Sequence, residues 1–103
     1  MTVRVAFAKR AARQVREIDA WWRENRPAAA SLFSEELASA LRAIEVAPNL
    51  GQPVSHGEAP DVRRVLLRAT RHHVYFVFAG EVVRVLAVWS CLRGTGPNLS
   101  RFE

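Results

Sequence analysis

Residues 71–93, RHHVYFVFAGEVVRVLAVWSCLR, decide the fold. His73 to Phe78 and Val82 to Trp89 are dense in β-branched and aromatic residues, and Ala79-Gly80-Glu81 joins them. That pattern predicts two long strands folded back as an antiparallel hairpin around a short glycine-containing link. Both parities are apolar. Val74, Phe76 and Phe78 fall on one face and Tyr75 and Val77 on the other. In the second strand, strict alternation puts Val83, Val85, Ala87 and Trp89 on one face and Leu86 and Val88 on the other. An antiparallel strand with one wet face alternates apolar with polar, so this hairpin needs cover on both sides.

Outward from the hairpin, Asp61 to Leu67 reads as a third strand, and Arg68-Ala69-Thr70 turns it into the first hairpin strand. The preceding nine residues, QPVSHGEAP from Gln52 to Pro60, are loop by composition, with two prolines and a glycine. Pro48-Asn49-Leu50-Gly51 ends a helix that begins at Pro27 and runs to about Ala47. Its buried stripe is Ala30, Phe33, Leu37, Ala40, Leu41 and Ile44, and Glu35, Glu36, Arg42 and Glu45 face water. Pro27 suits the first turn of a helix and not its interior, so the chain turns at Asn25 and Arg26. Upstream, Ala8, Ala11, Val15, Ile18 and Trp22 recur at steps of three and four and predict a helix from Ala8 to Asn25. Arg13 with Glu17 and Asp19 with Arg23, four apart, mark its solvated side. Thr2 to Phe7 opens the chain as a short strand with Val3, Val5 and Phe7 on one face. After Trp89, two glycines and Pro97 argue against a packed helix.

The order β-α-α-β-β-β gives a two-layer α+β fold, a helical hairpin packed on one face of an antiparallel sheet, in one domain spanning residues 1–103. Helices on one face leave the other open. An exposed apolar surface bordered by Arg63, Arg64, Arg68, Arg84 and Arg93 is therefore expected there, and such a patch marks a partner site.

A chain of 103 residues with 50% hydrophobic content can bury a core without disulfides or metals. No apolar run approaches membrane-spanning length and the N-terminus MTVRVAFAKR lacks a secretory apolar stretch, so a soluble, cytoplasmic protein away from membranes is expected. A single cysteine, Cys91, agrees with a reducing compartment. The net charge of +5, almost all of it arginine, favours an acidic partner, nucleic acid or protein.

Several pieces in this order resemble the RelE/ParE superfamily of toxins from bacterial type II toxin-antitoxin pairs. They are the opening strand and striped helix, the helical hairpin ending at Pro48-Asn49-Leu50-Gly51, the strand Arg63-Arg64-Val65-Leu66-Leu67, the strand Val74-Tyr75-Phe76-Val77-Phe78, and Val85-Leu86-Ala87-Val88-Trp89 followed by Arg93. The resemblance implies neutralisation by a cognate acidic antitoxin. It also implies one of two targets: DNA gyrase, bound by ParE-like members, or messenger RNA on the ribosome, cleaved by RelE-like members.

Cleaving RNA through its 2′-hydroxyl needs a base, an acid and cations around the phosphate. RelE-like members resemble this scheme with lysines after the second helix, sheet arginines and a tyrosine or histidine near the C-terminus. Here the loop after the second helix has no lysine, and the tail beyond Arg93 has no tyrosine, histidine or lysine. Only Arg93 and His73 match the scheme, which favours the ParE-like reading, in which binding alone does the work. A plain nucleic-acid-binding module is a third class, but the chain has no glycine-rich phosphate loop and no recognition-helix signature.

The residues expected to meet an acidic amphipathic antitoxin segment on the open face are Arg64, Tyr75, Val77, Arg84 and Arg93, and Trp21 on the first helix is the candidate for the target. His73 and Arg93 are the catalytic candidates of the nuclease alternative. His56 lacks neighbours at metal-ligand spacing and Cys91 reads as a packing residue, so no metal and no cofactor are expected. Arg63 and Arg64, adjacent on one strand, are expected to point to opposite faces.

Overall fold

The computed structural model describes residues 3–54, 61–92 and 96–97. Five strands and two helices follow in the order β1 (Arg4–Phe7), α1 (Lys9–Asn25), a 3-10 turn (Pro27–Ala29), α2 (Leu32–Val46), β2 (Gln52–Val54), β3 (Val62–Leu67), β4 (His72–Ala79) and β5 (Val82–Ser90). Both helices lie on one face of a sheet ordered β1-β5-β4-β3-β2.

Local chemistry sets the helix ends. At the end of α1 the Arg26 amide still reaches back to the Trp22 carbonyl, but Arg26 has left helical geometry at φ −135° and Pro27 follows at the first position of the 3-10 turn. The single helix expected from Pro27 to Ala47 is thus a 3-10 turn followed by α2. After α2, Gly51 adopts φ +92°, and a Cβ there would stand 2.5 Å from the carbonyl oxygen of Arg64. Only glycine lets the chain pass β3 that closely.

The helix-facing layer is continuous. Ala11 of α1 and Phe33 and Leu37 of α2 pack on Leu67, Val74, Val85 and Val88, with Val15, Ile18 and Trp22 against the same cluster. Ile44 continues the layer onto Phe76 and Val83. The predicted stripes therefore form the interface. The sheet is mixed, because β1 pairs parallel with β5, Arg4 opposite Val82 through Phe7 opposite Val85. Val3 and Val5 extend the helix-facing layer there. β2 lies in a stretch expected to be loop. It is an edge strand, where Pro53 needs no ladder donor on its outer side.

Two further expectations about the sheet are corrected. A β-bulge interrupts the β4–β5 ladder: Tyr75 faces Ala87 while Phe76 faces Val85, so Leu86 is extra on β5. Parity shifts from that point. Val88 joins the helix-facing cluster, and Leu86, Ala87 and Trp89 gather with Tyr75 on the opposite face. The second correction is that this face is not an open apolar surface. Val62, Tyr75, Leu86 and Ala87 are all buried, Tyr75 with 4% of its surface exposed. A Cβ on Gly96 would lie 3.7 Å from the Tyr75 hydroxyl, so Gly96 comes close to this face, and neither Gly96 nor Pro97 is helical.

Candidate functional site

Two surfaces gather the chemistry-bearing residues. The first is the sheet face away from the helices. Arg64 stands opposite Tyr75 across the β3–β4 ladder and opposite Gln52 across β2–β3. Its Nη2 donates to Gln52 Oε1 at 3.4 Å, and its buried Nε has no partner among the described residues. Arg63 points the other way, its Nη1 donating to the Gly51 carbonyl at 3.2 Å, so the two arginines split between faces as expected. Val77 is half-buried against the Tyr75 cluster and stands opposite the half-buried Arg84. Arg64, Tyr75, Val77 and Arg84 thus share a face, with Tyr75 already occupied as a core residue. Arg93 and His56 lie outside the described residues.

His73 is on the same face. Its ring meets the Tyr75 ring edge-on, centroids 6.0 Å apart, and its Nδ1 lies 3.5 Å from Cys91 Sγ. Burial, with the positive charge of Arg64 added, lowers its pKa, so the imidazole is a neutral base near neutrality. A groove of 370 Å³ opens beside it, lined by Gln52, Arg64, Leu66, Arg68 and His73 among others.

His72 takes the other side of the strand, as alternation requires. Its ring packs edge-on against Phe33 of α2, centroids 5.5 Å apart. Burial lowers its pKa, against the opposing pull of a Thr70 backbone hydrogen bond and the charge of Glu36.

Glu36 was expected to face water. Instead its carboxylate reaches from α2 to the β3–β4 turn and accepts three hydrogen bonds: Ala69 N at 2.7 Å, Thr70 N at 3.0 Å and Thr70 Oγ1 at 2.7 Å. Burial alone would raise its pKa, but the bonds from Thr70 and Ala69, helped by His72, outweigh that and bring it below the usual glutamate value. The clamped turn contains Arg71 at φ +64°, a left-handed conformation that a side chain adopts at a cost. Gln14 plays a similar part from α1, its Oε1 accepting the Val88 amide at 2.8 Å where β1 no longer flanks β5.

Both polar clamps were visible as spacing. Glu36 follows Phe33 by three and precedes Ala40 by four, and Gln14 follows Ala11 by three and precedes Ile18 by four. Such spacing lets a polar residue reach the sheet but does not require it: Asp19, four after Val15 and three before Trp22, pairs with Arg23 on the surface instead.

The second surface is a cleft of 380 Å³ where the end of α1 meets the start of β4 and the end of β5, lined by Trp21, Trp22, Arg26, Thr70, His72 and Leu92 among others. Trp21 is 47% exposed. Its ring is fixed from two sides, by the Trp22 edge at 5.7 Å between centroids and by the Arg26 guanidinium carbon 5.3 Å from its own centroid. Leu92, 82% exposed, flanks the same cleft. An exposed tryptophan packed under a guanidinium is the kind of group that anchors a protein partner.

Among the described residues no group of three or more His, Cys, Asp or Glu is placed to hold a metal ion. No helix among them is long and apolar enough to cross a membrane.

Two helices packed on one face of a five-stranded mixed sheet make an α+β fold that matches the structures of ParE and RelE toxins. The chain belongs to the family described as the ParE toxin of the type II toxin-antitoxin system parDE, whose family model matches residues 5–93. Among solved structures it is similar to the chromosomal ParDE toxin-antitoxin system from P. aeruginosa, at 19% identity and TM-score 0.67, covering 86% of this chain and 96% of that one. It is also similar to a mutant of the E. coli toxin RelE in the free state, at 20% identity and TM-score 0.59, covering 89% of this chain and 86% of that one. At such identities these likenesses concern the fold. No curated protein matches the chain by sequence.

Proposed function

We propose that this toxin acts in the cytoplasm by binding DNA gyrase, without chemistry of its own, and that a cognate acidic antitoxin neutralises it. The observation that carries the binding reading is Trp21, an exposed aromatic in contact with Trp22 and Arg26 at the mouth of an apolar cleft. Pre-ordered aromatic anchors contribute strongly to protein contacts because little side-chain entropy is lost when they are covered. Membership of the ParE family supports gyrase as the target.

The antitoxin segment takes the sheet face. Arg64 and Arg84 offer charge to its carboxylates, Val77 offers apolar surface, and Arg93 belongs to the same proposed set. Tyr75 is buried among Val62, Leu86 and Ala87 with Gly96 near its hydroxyl, so it becomes available only when this face rearranges. Antitoxin binding on this reading exchanges an internal contact for an external one.

A RelE-like endoribonuclease is the second reading, favoured by one observation: His73 is a neutral imidazole beside Arg64 at a groove, an arrangement suited to a base near a phosphate. The two readings separate in cells. Induction of the chain should leave messenger RNA intact while chromosomal replication stalls and DNA breaks accumulate, and Trp21→Ala should relieve the arrest. Prompt cleavage of translated messages, abolished by His73→Ala, would replace the first reading with the second.

A further inference from the structure

Arg71 stands where the backbone favours glycine. Its φ of +64° is left-handed, a conformation that glycine adopts freely and a residue with a Cβ adopts at a cost. The backbone is held there from both sides. The Arg71 amide donates to the Leu67 carbonyl at 2.8 Å, its carbonyl accepts the Cys91 amide at 2.9 Å, and Glu36 clamps Thr70 beside it. Strain of this kind gathers at functional sites. The exposed Arg71 side chain lines the 380 Å³ cleft of Trp21 and makes no hydrogen bond or ion pair among the described residues.

Arg26 is the second cation of the cleft. Its guanidinium lies over the Trp21 ring and donates from Nη1 to the Asn25 carbonyl at 3.1 Å. Among the described residues no carboxylate lines the cleft: Glu36 is engaged at the turn, Asp19 is paired with Arg23 at 2.9 Å, and Glu17 lines a neighbouring cleft. Two arginines with no acidic counterpart therefore border apolar walls that include Trp22 and Leu92.

We propose, resting on the gyrase reading above, that this cleft takes an acidic segment of gyrase in which an apolar side chain is flanked by carboxylates. The apolar side chain packs on Trp21, Trp22 and Leu92, and the carboxylates meet Arg71 and Arg26. Apolar walls with charge only at the border match such a segment better than a nucleic-acid backbone, whose binding draws on an extended run of cations. Arg71 serves its partner at a cost to the fold, so stability and binding respond differently to its replacement.

The test measures binding of the full chain to purified gyrase by biolayer interferometry over a range of salt concentrations. Arg71→Gln and Arg71→Lys bear a similar backbone cost, so the difference between them reads the charge. Arg71→Gln should weaken binding about tenfold and flatten its dependence on salt, whereas Arg71→Lys should keep most of both. Arg71→Gly should bind as weakly as Arg71→Gln while its urea midpoint stays at or above that of wild type, because relief of the left-handed conformation offsets the added freedom of the unfolded chain. Trp21→Ala should lose affinity with its salt dependence intact. Wild-type chain that does not bind gyrase overturns the gyrase reading and this inference with it. Binding that needs Trp21 but is unchanged in Arg71→Gln and Arg71→Gly at every salt concentration overturns the acidic ligand alone, and so do equal losses in Arg71→Lys and Arg71→Gln. A linear DNA duplex bound by the chain alone, and lost in Arg71→Gln to the same degree, would assign the arginine to phosphate and overturn it too.

Discussion

Replacing Glu36 by alanine should destabilise the protein by about 2–3 kcal/mol, a large effect for a residue on the helix side expected to be wet. The figure follows from what the carboxylate holds. Thr70 is buried, with 5% of its surface exposed, and both its amide and its hydroxyl rely on Glu36 Oε1. Each buried donor left without a partner costs about 1 kcal/mol or more, while the Ala69 amide, on an exposed residue, turns to water for a few tenths. The clamp also holds the turn that keeps Arg71 left-handed, so its loss releases that segment and removes the charge facing His72. Urea unfolding followed by circular dichroism should show a lower midpoint at unchanged slope, and the melting temperature should fall on the order of 10 °C. Glu36→Gln, which keeps an acceptor oxygen, should lose roughly half as much. Because the native pKa of Glu36 lies below its unfolded value, its contribution is complete above about pH 4.3 and disappears as pH falls through the depressed native value, so wild type and Glu36→Gln should converge in acid. A Glu36→Ala protein within about 0.5 kcal/mol of wild type at pH 7 would refute the clamp as a stabilising contact.

Three other outcomes follow from the same geometry. Gly51→Ala should cost about 2 kcal/mol or more, by urea midpoint, because the site combines φ +92° with a Cβ position 2.5 Å from the Arg64 carbonyl oxygen. His72 and His73 both have native pKa values below the unfolded one, so the unfolded chain binds their protons first; stability should be level above about pH 6.5 and fall as pH drops below it, and His72→Gln should flatten that slope in a pH series of unfolding curves. Val77→Asp should weaken antitoxin binding by roughly thirtyfold, about 2 kcal/mol, in calorimetric titration, by leaving a carboxylate unpaired in a desolvated contact, whereas removing the charge of Arg64 or Arg84 should mainly reduce the salt dependence of binding.

The helical hairpin and the β4–β5 hairpin were legible because their periods are strong: 3.6-residue stripes ending at Trp22 and Ile44, and apolar strands flanking Gly80. The bulge at Leu86 was hidden by the same composition. Where both faces of a strand are apolar, a one-residue shift leaves no mismatch in the pattern, and only the partner strand reveals that Val88 has changed sides. β2 was hidden because Pro53 reads as a breaker, although an edge strand tolerates it. The parallel pairing of β1 with β5 depends on contacts some eighty residues apart, which local periodicity does not carry. At the site, alternation correctly separated Arg63 from Arg64. It gave no sign that Gly96 lies near Tyr75, since a stretch with glycine and proline carries no period to read.

The central claim is that this ParE-family toxin works by binding gyrase through the Trp21 cleft, and a supercoiling assay with purified gyrase and relaxed plasmid tests it most directly. Wild-type chain should inhibit supercoiling in a dose-dependent way. Trp21→Ala should raise the concentration for half-inhibition at least tenfold while keeping the wild-type circular dichroism spectrum, as expected when an exposed aromatic anchor is lost. Added cognate antitoxin should restore activity. Supercoiling that proceeds unchanged at saturating wild-type chain, with ribosome-bound messenger RNA cleaved by the same preparation, would contradict it.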